Sequence, residues 1–194
     1  MIALLAITFF IFVEYIFSSQ LGAFLGRYYT YVFELIFFFA TLLYFREFKL
    51  SIRFRPVFLL SLILGAAAAF LIKPLGIVFP FNLKDSETIF FLLVVAPVLE
   101  ELIFRYALWE YVERTSTVVI AWVATSLLFS FSHFYAYFGV PESLKSFVIY
   151  QTAYTFSIAL YFGYYRLKDR GLFVPIFLHF LFNFGFFLVG VAAS

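Results

Sequence analysis

Long apolar runs broken by short polar punctuation restrict this chain more than any other feature. About 20 consecutive, mostly apolar residues make a helix long enough to cross the hydrocarbon core of a bilayer. The polar breaks leave room for seven such segments. They are Ile2 to Phe17, Tyr28 to Phe45, Val57 to Ile72, Glu87 to Val112, Thr117 to Phe138, Phe147 to Tyr165 and Leu172 to Val191. Composition agrees with them. Charged residues make up 12% of the 194-residue chain and hydrophobic residues 65%, whereas a soluble domain carries roughly 25% charged. The expectation is an all-α, polytopic integral membrane bundle of about seven transmembrane helices, forming a single domain over residues 1–194.

The first and third segments are short for a span. The first lacks the basic flank and cleavage site of a signal peptide, so it is expected to be a retained helix. Loop charge sets the orientation. Eight basic residues fall on the side of the N-terminus (Arg46, Lys49, Arg53, Arg55, Arg114, Arg166, Lys168, Arg170) and four on the other (Arg27, Lys73, Lys84, Lys145). This places the N-terminus in the cytoplasm and the C-terminus outside. The net charge of +2 gives no reason to expect nucleic acid as a partner. No cysteine is present, which excludes disulfides, thiolate metal sites, a cysteine nucleophile and cysteine lipidation.

Ionisable groups inside membrane helices cost about 2.5–3.5 kcal/mol each on insertion scales, so they are functional candidates by default. Both histidines of the chain, His133 and His179, lie in predicted helices, and Asn183, one of two asparagines, follows His179 by four residues. The pair Glu100 and Glu101 lies inside the fourth helix with Arg105 behind it. Glu101 and Arg105, four apart, share a helix face, where an Arg fork suits a carboxylate. Glu100 points about 100° away and is the more available acid. Pro97 removes a backbone donor upstream and is expected to bend the helix near the site. Each signal has a plainer reading: a solvated helix end for the acids, a packing histidine for His133, an interhelical hydrogen bond for His179 and Asn183. Glu14 and Glu34 lie nearer the outer ends of their helices and read as interfacial. At about 1.5 Å per residue, Glu100, His133 and His179 lie at comparable depths below the cytoplasmic surface and could converge on one wet cavity.

The three patterns EELIFR at 100–105, FSFSH at 129–133 and HFLFN at 179–183, in that order, resemble the motifs of the CPBP family. This family, also called ABI, comprises CAAX prenyl proteases and bacteriocin-processing enzymes. The resemblance covers about residues 87–186, the expected catalytic core, and helices one to three carry no matching signature. It implies an intramembrane endopeptidase acting on a membrane-associated protein or peptide. Glu100 and His133 would activate water, His179 and Asn183 would stabilise the oxyanion, and Glu101 and Arg105 would brace the site. The chemistry is reasonable, because burial makes a carboxylate a better base near neutral pH, and imidazole and amide groups can donate to an oxyanion. The family favours a glutamate-dependent enzyme with no cofactor. The residues also permit zinc, with Glu100, His133 and His179 as ligands and a fourth position for water, although the compact H-E-x-x-H spacing is missing. A proton-coupled transporter is the alternative from another class, but no repeated halves are visible. A non-catalytic immunity or scaffold protein is a third. The short chain points to a bacterial cytoplasmic (inner) membrane and a non-prenylated peptide or anchor as target.

The orientation is testable with single cysteines in this cysteine-free chain. A membrane-impermeant thiol reagent applied to intact cells should label Ser194→Cys and spare Ser51→Cys; the opposite pattern would reverse the topology.

Overall fold

The computed structural model describes residues 56–193 and, ahead of them, Val32, Ile36, Phe39, Ala40 and Leu43. Those five are helical and exposed, and they fall within the second predicted helix. The first predicted helix, Glu14, Glu34, Arg27 and the basic stretch Arg46 to Arg55 lie outside the described residues.

Among the described residues all regular structure is helical. Helix α1 spans Val57–Ile72, as the apolar run predicts. Helix α2, residues 86–115, is composite. It is α-helical at Ser86–Phe90, Ala96–Glu101 and Leu108–Thr115, with π-helical turns at Phe91–Val95 and Leu102–Ala107. Helix α3 covers Val118–Phe134 and tightens into a 3₁₀ turn at Tyr135–Phe138. Helix α4 covers Glu142–Asp169 and α5 covers Phe173–Ala193.

The ends follow local chemistry. Asp85 caps α2 by accepting from the Thr88 N–H at 2.9 Å, and Thr117 caps α3 by accepting from the Ile120 N–H at 3.2 Å. Both satisfy donors that a helix start leaves open. Helix α4 differs from expectation. It begins at Glu142 and runs to Asp169, past both ends of the apolar run Phe147 to Tyr165. Pro141, with φ of −56°, leads into it, and Glu142 suits the positive N-terminal end of the helix dipole. It ends where Arg170 turns left-handed, φ 51°. Hydropathy marks the part of a helix that sits in lipid, whereas caps mark where the backbone stops.

Among the described residues, two helices are long and apolar enough to cross a membrane, Val118–Phe138 and Phe173–Val191. Their outward faces are apolar, as at Val119, Ile120, Val123, Leu127 and Phe131 of α3, all exposed. Helix α4 is longer, but Gln151, Thr152 and Thr155 interrupt its apolar surface.

Helix α1 packs chiefly on α5, α3 on α4, and α5 also touches α4 and the middle of α2. Lipid tails are as apolar as leucine, so such helices associate through close packing and hydrogen bonds. The α1–α5 contact is built on glycines. A Cβ placed on Gly65 would meet the Phe182 carbonyl oxygen at 1.9 Å, and one on Gly185 would meet that of Leu62 at 2.1 Å. Across this seam Ser61 donates to the Leu178 carbonyl at 2.5 Å. Helices α3 and α4 are tied by Trp122 Nε1 to the Leu160 carbonyl at 2.8 Å and by Ser130 Oγ to the Thr152 carbonyl at 2.8 Å. Tyr150 of α4 reaches the Ala68 carbonyl of α1 at 2.7 Å.

Because backbone lies directly over it, Gly185 tolerates no side chain. Gly185→Val should destabilise the protein by roughly 1–3 kcal/mol or more, read as a fall in thermal unfolding temperature in detergent, while Gly139→Ala, at φ −112° with the nearest atom 3.9 Å away, should cost less.

Candidate active site

The α-helical stretch Ala96–Glu101 presents the acid pair, and the second π turn after it carries Arg105. Glu101 is fully buried and Glu100, the next residue, keeps 24% of its side chain exposed. Arg105 is fully buried, with Nε 3.3 Å from Glu101 Oε2. The pair is close, but Nε and Oε2 are not aligned as a hydrogen bond. The guanidinium is held from two other sides. Nη2 donates to the Ala159 carbonyl of α4 at 3.2 Å, and the group lies over the Phe129 ring at 4.7 Å from its centroid. Phe129 also contacts the rings of Phe104, His133 and His179, so one aromatic side chain separates Arg105 from both histidines.

His179 of α5 meets both glutamates. Its Nδ1 donates to Glu101 Oε1 at 3.0 Å, and its Nε2 lies 3.7 Å from Glu100 Oε2. The Phe162 ring packs beside it, 5.3 Å between centroids. A carboxylate can only accept, so Nδ1 carries a proton and Nε2 faces Glu100. His133, half-buried near the end of α3, has Nδ1 2.9 Å from the Phe129 carbonyl. A carbonyl also only accepts, so Nδ1–H is the donor and Nε2 of neutral His133 keeps a lone pair for a proton.

The first π turn explains Asn183. In that turn the Ala96 N–H reaches back five residues to the Phe91 carbonyl. The next residue, Pro97, has no N–H, so the Leu92 carbonyl loses the partner this register would supply. Asn183 Nδ2 of α5 donates to it at 2.7 Å. The amide is thereby fixed, and its second N–H is left over.

Glu100, His133, His179 and Asn183 all line one cavity of about 240 Å³, together with Phe81, Leu92, Gln151, Tyr154, Thr155 and Phe186 among others. Glu101 and Arg105 lie behind its wall. The structure thus brings the six residues singled out in the sequence into one neighbourhood, with one difference in detail. Among the described residues, Glu100 has its polar contact with His179, and no hydrogen bond joins it to His133. Nor do three His, Asp or Glu side chains group so as to hold a metal ion among the described residues, and the set Glu100, His133 and His179 is not arranged in that way. Sequence reasoning missed Gln151 and Tyr154 as cavity residues. A signal existed for the first, since Gln151 is one of only two glutamines and lies inside a predicted helix.

An all-helical bundle with apolar outer faces around a cavity of acid, imidazole and amide groups defines a membrane-embedded protein built for polar chemistry. A family model described as type II CAAX prenyl endopeptidase Rce1-like matches residues 85–185, and the chain belongs to this Rce1-like family of CAAX-type endopeptidases. The match begins at Asp85, the cap of α2, and ends at Gly185, so it contains every cavity-lining residue except Phe81, Leu83, Phe186 and Phe187. No curated protein and no solved structure gives a significant match to the chain.

The two adjacent glutamates should respond oppositely to removal of charge. Glu101→Gln leaves Arg105 buried and unpaired and should cost about 3–5 kcal/mol. Glu100→Gln, at the cavity surface, should leave the thermal unfolding temperature nearly unchanged. Equal destabilisation by both variants would contradict the division.

Proposed function

We propose that this protein hydrolyses a peptide bond within the membrane, using water activated by Glu100 and His133 without a metal. The observation that carries the reading is the shared cavity, in which Glu100, His133, His179 and Asn183 face one another from three helices. A water between Glu100 and the free Nε2 of His133 gives up a proton to one of them as its oxygen attacks the scissile carbonyl carbon. The oxyanion that forms is stabilised by the second N–H of Asn183 and by Nε2–H of His179. To donate from Nε2, His179 must carry both ring protons. The proton taken from water then passes to the leaving amine as the C–N bond breaks. Glu101 orients His179, and Arg105 holds Glu101.

In this reading the chain has about seven transmembrane helices, with its N-terminus in the cytoplasm of a bacterial inner membrane. The substrate is the tail, leader or anchor of a membrane-associated protein, drawn out of helical form into the cavity.

The test uses purified full-length protein in lipid nanodiscs and an internally quenched, farnesylated peptide ending in a CAAX sequence, beside its unprenylated counterpart. Cleavage of either peptide should fall about 10²–10⁴-fold in Glu100→Gln, the range for loss of a general base. Equal rates in the wild type and Glu100→Gln would end the glutamate reading. Elemental analysis of the active protein should find no stoichiometric zinc, and chelators should leave the rate unchanged. One zinc per chain, with activity lost on chelation and restored by zinc, would make Glu100, His133 and His179 candidate ligands.

A further inference from the structure

Hydrolysis as just described uses Glu100, His133, His179 and Asn183, but other polar groups also line the cavity from helix α4. Thr155 is committed, with its hydroxyl donating to the Thr152 carbonyl at 3.1 Å. Gln151 and Tyr154 are not. Both line the cavity and both are half-buried, yet among the described residues neither side chain has a hydrogen-bond partner. Their polar atoms are not sealed in the interior; they reach the cavity, where an amide and a phenol that no protein group engages are free to meet a ligand. Packing gives no reason for an amide at position 151.

We propose that Gln151 and Tyr154 form a peptide-backbone clamp that binds the extended substrate beside its scissile bond. The proposal rests on the peptidase reading above and adds to it the groups that hold the substrate. A peptide must leave helical form to expose a scissile bond, and inside a membrane no bulk water replaces its helical hydrogen bonds. Its N–H and C=O groups must therefore find partners on the cavity wall. A glutamine amide offers a donor and an acceptor together and can pair with both groups of one peptide unit, while a phenol can donate to a neighbouring carbonyl.

The placement suits this role. Ser130 Oγ bonds to the Thr152 carbonyl, so α3 and α4 are in register where Gln151 adjoins Thr152 and His133 follows Ser130 by three residues. Tyr154, three residues after Gln151, lies on the same face of α4. Its ring is held by Tyr150, 5.2 Å between centroids, and by Phe182 at 5.7 Å and Phe186 at 6.2 Å. Phe182 directly precedes Asn183 on α5, and Asn183, Gln151 and Tyr154 line the same cavity as Glu100. The ring is fixed while its hydroxyl has no partner, an arrangement suited to meeting a ligand with little loss of side-chain entropy.

The experiment is a cycle of protein and peptide changes, using full-length protein in nanodiscs. The probes are a farnesylated CAAX peptide and the same peptide with its backbone nitrogens methylated on either side of the scissile bond. Binding is measured as Kd in the Glu100→Gln background and cleavage as kcat and KM with Glu100 present. Gln151→Leu should weaken binding of the unmodified peptide about tenfold and raise KM more than it lowers kcat. It should not weaken binding of the methylated peptide further. Tyr154→Phe should act in the same direction by a smaller factor. Gln151→Leu should also keep or raise the thermal unfolding temperature, because it removes an amide that bonds to nothing. An unchanged Kd, an additive loss with the methylated peptide, a fall in unfolding temperature, or no binding of either peptide would overturn the clamp. Cleavage by the wild type without coupling in the cycle leaves the peptidase reading standing and rejects the clamp. Coupled binding without cleavage does the reverse.

Discussion

The ion pair between Glu101 and Arg105 is the interaction on which the remainder of the site depends. Neither side chain is exposed, and a charge held away from water is tolerable only with its partner. The pair recruits neighbours from every helix around it: the Ala159 carbonyl from α4, the Phe129 ring from α3 and His179 from α5. The Arg105 carbonyl in turn accepts from Arg166 Nε at 2.9 Å, and Arg166 pairs with Glu110. A charge that cannot be left alone thus fixes four helices relative to one another. It also leaves Glu100 as the carboxylate that reaches the cavity.

The π turns of α2 perform a second task. A regular α-helix uses all its interior carbonyls and offers few to a neighbouring helix. By lengthening the register just before Pro97, α2 releases the Leu92 carbonyl into the bundle, where Asn183 takes it. The same defect that weakens the helix therefore orients a side chain of the site. The glycine seam between α1 and α5 brings the two backbones together at Gly65 and Gly185, and Gly185 lies two residues beyond Asn183. The close crossing thereby limits the freedom of the helix that carries both His179 and Asn183.

Much of this was legible in the residues. The apolar runs marked α1, α3 and α5 nearly to their ends, and the scarcity of polar side chains within those runs pointed to Glu100, Glu101, Arg105, His133, His179 and Asn183. Spacing alone paired Glu101 with Arg105, because positions four apart share a helix face. The ends of α4 were not legible, since they depend on Pro141 and on the left-handed Arg170 rather than on hydropathy. The pairing of acids with histidines was equally hidden. Glu100 faces His179, and His133 is held by its own helix, because the rotation of α3 about its axis follows from Phe129, Trp122 and Ser130 packing against neighbours far away in the chain.

Sequence by itself determined that this chain is helical and apolar on its outer faces, and that a few costly polar groups lie within it. Lipid forbids unpaired backbone and penalises charge, and both constraints act on each segment separately. Tertiary structure decided which of those polar groups meet, which ring nitrogen of each histidine faces a protein acceptor, and which side chains, Gln151 and Tyr154 among them, face the cavity without a partner. Those outcomes depend on helix rotation and crossing, which arise from contacts between segments and leave no periodic trace in any one of them.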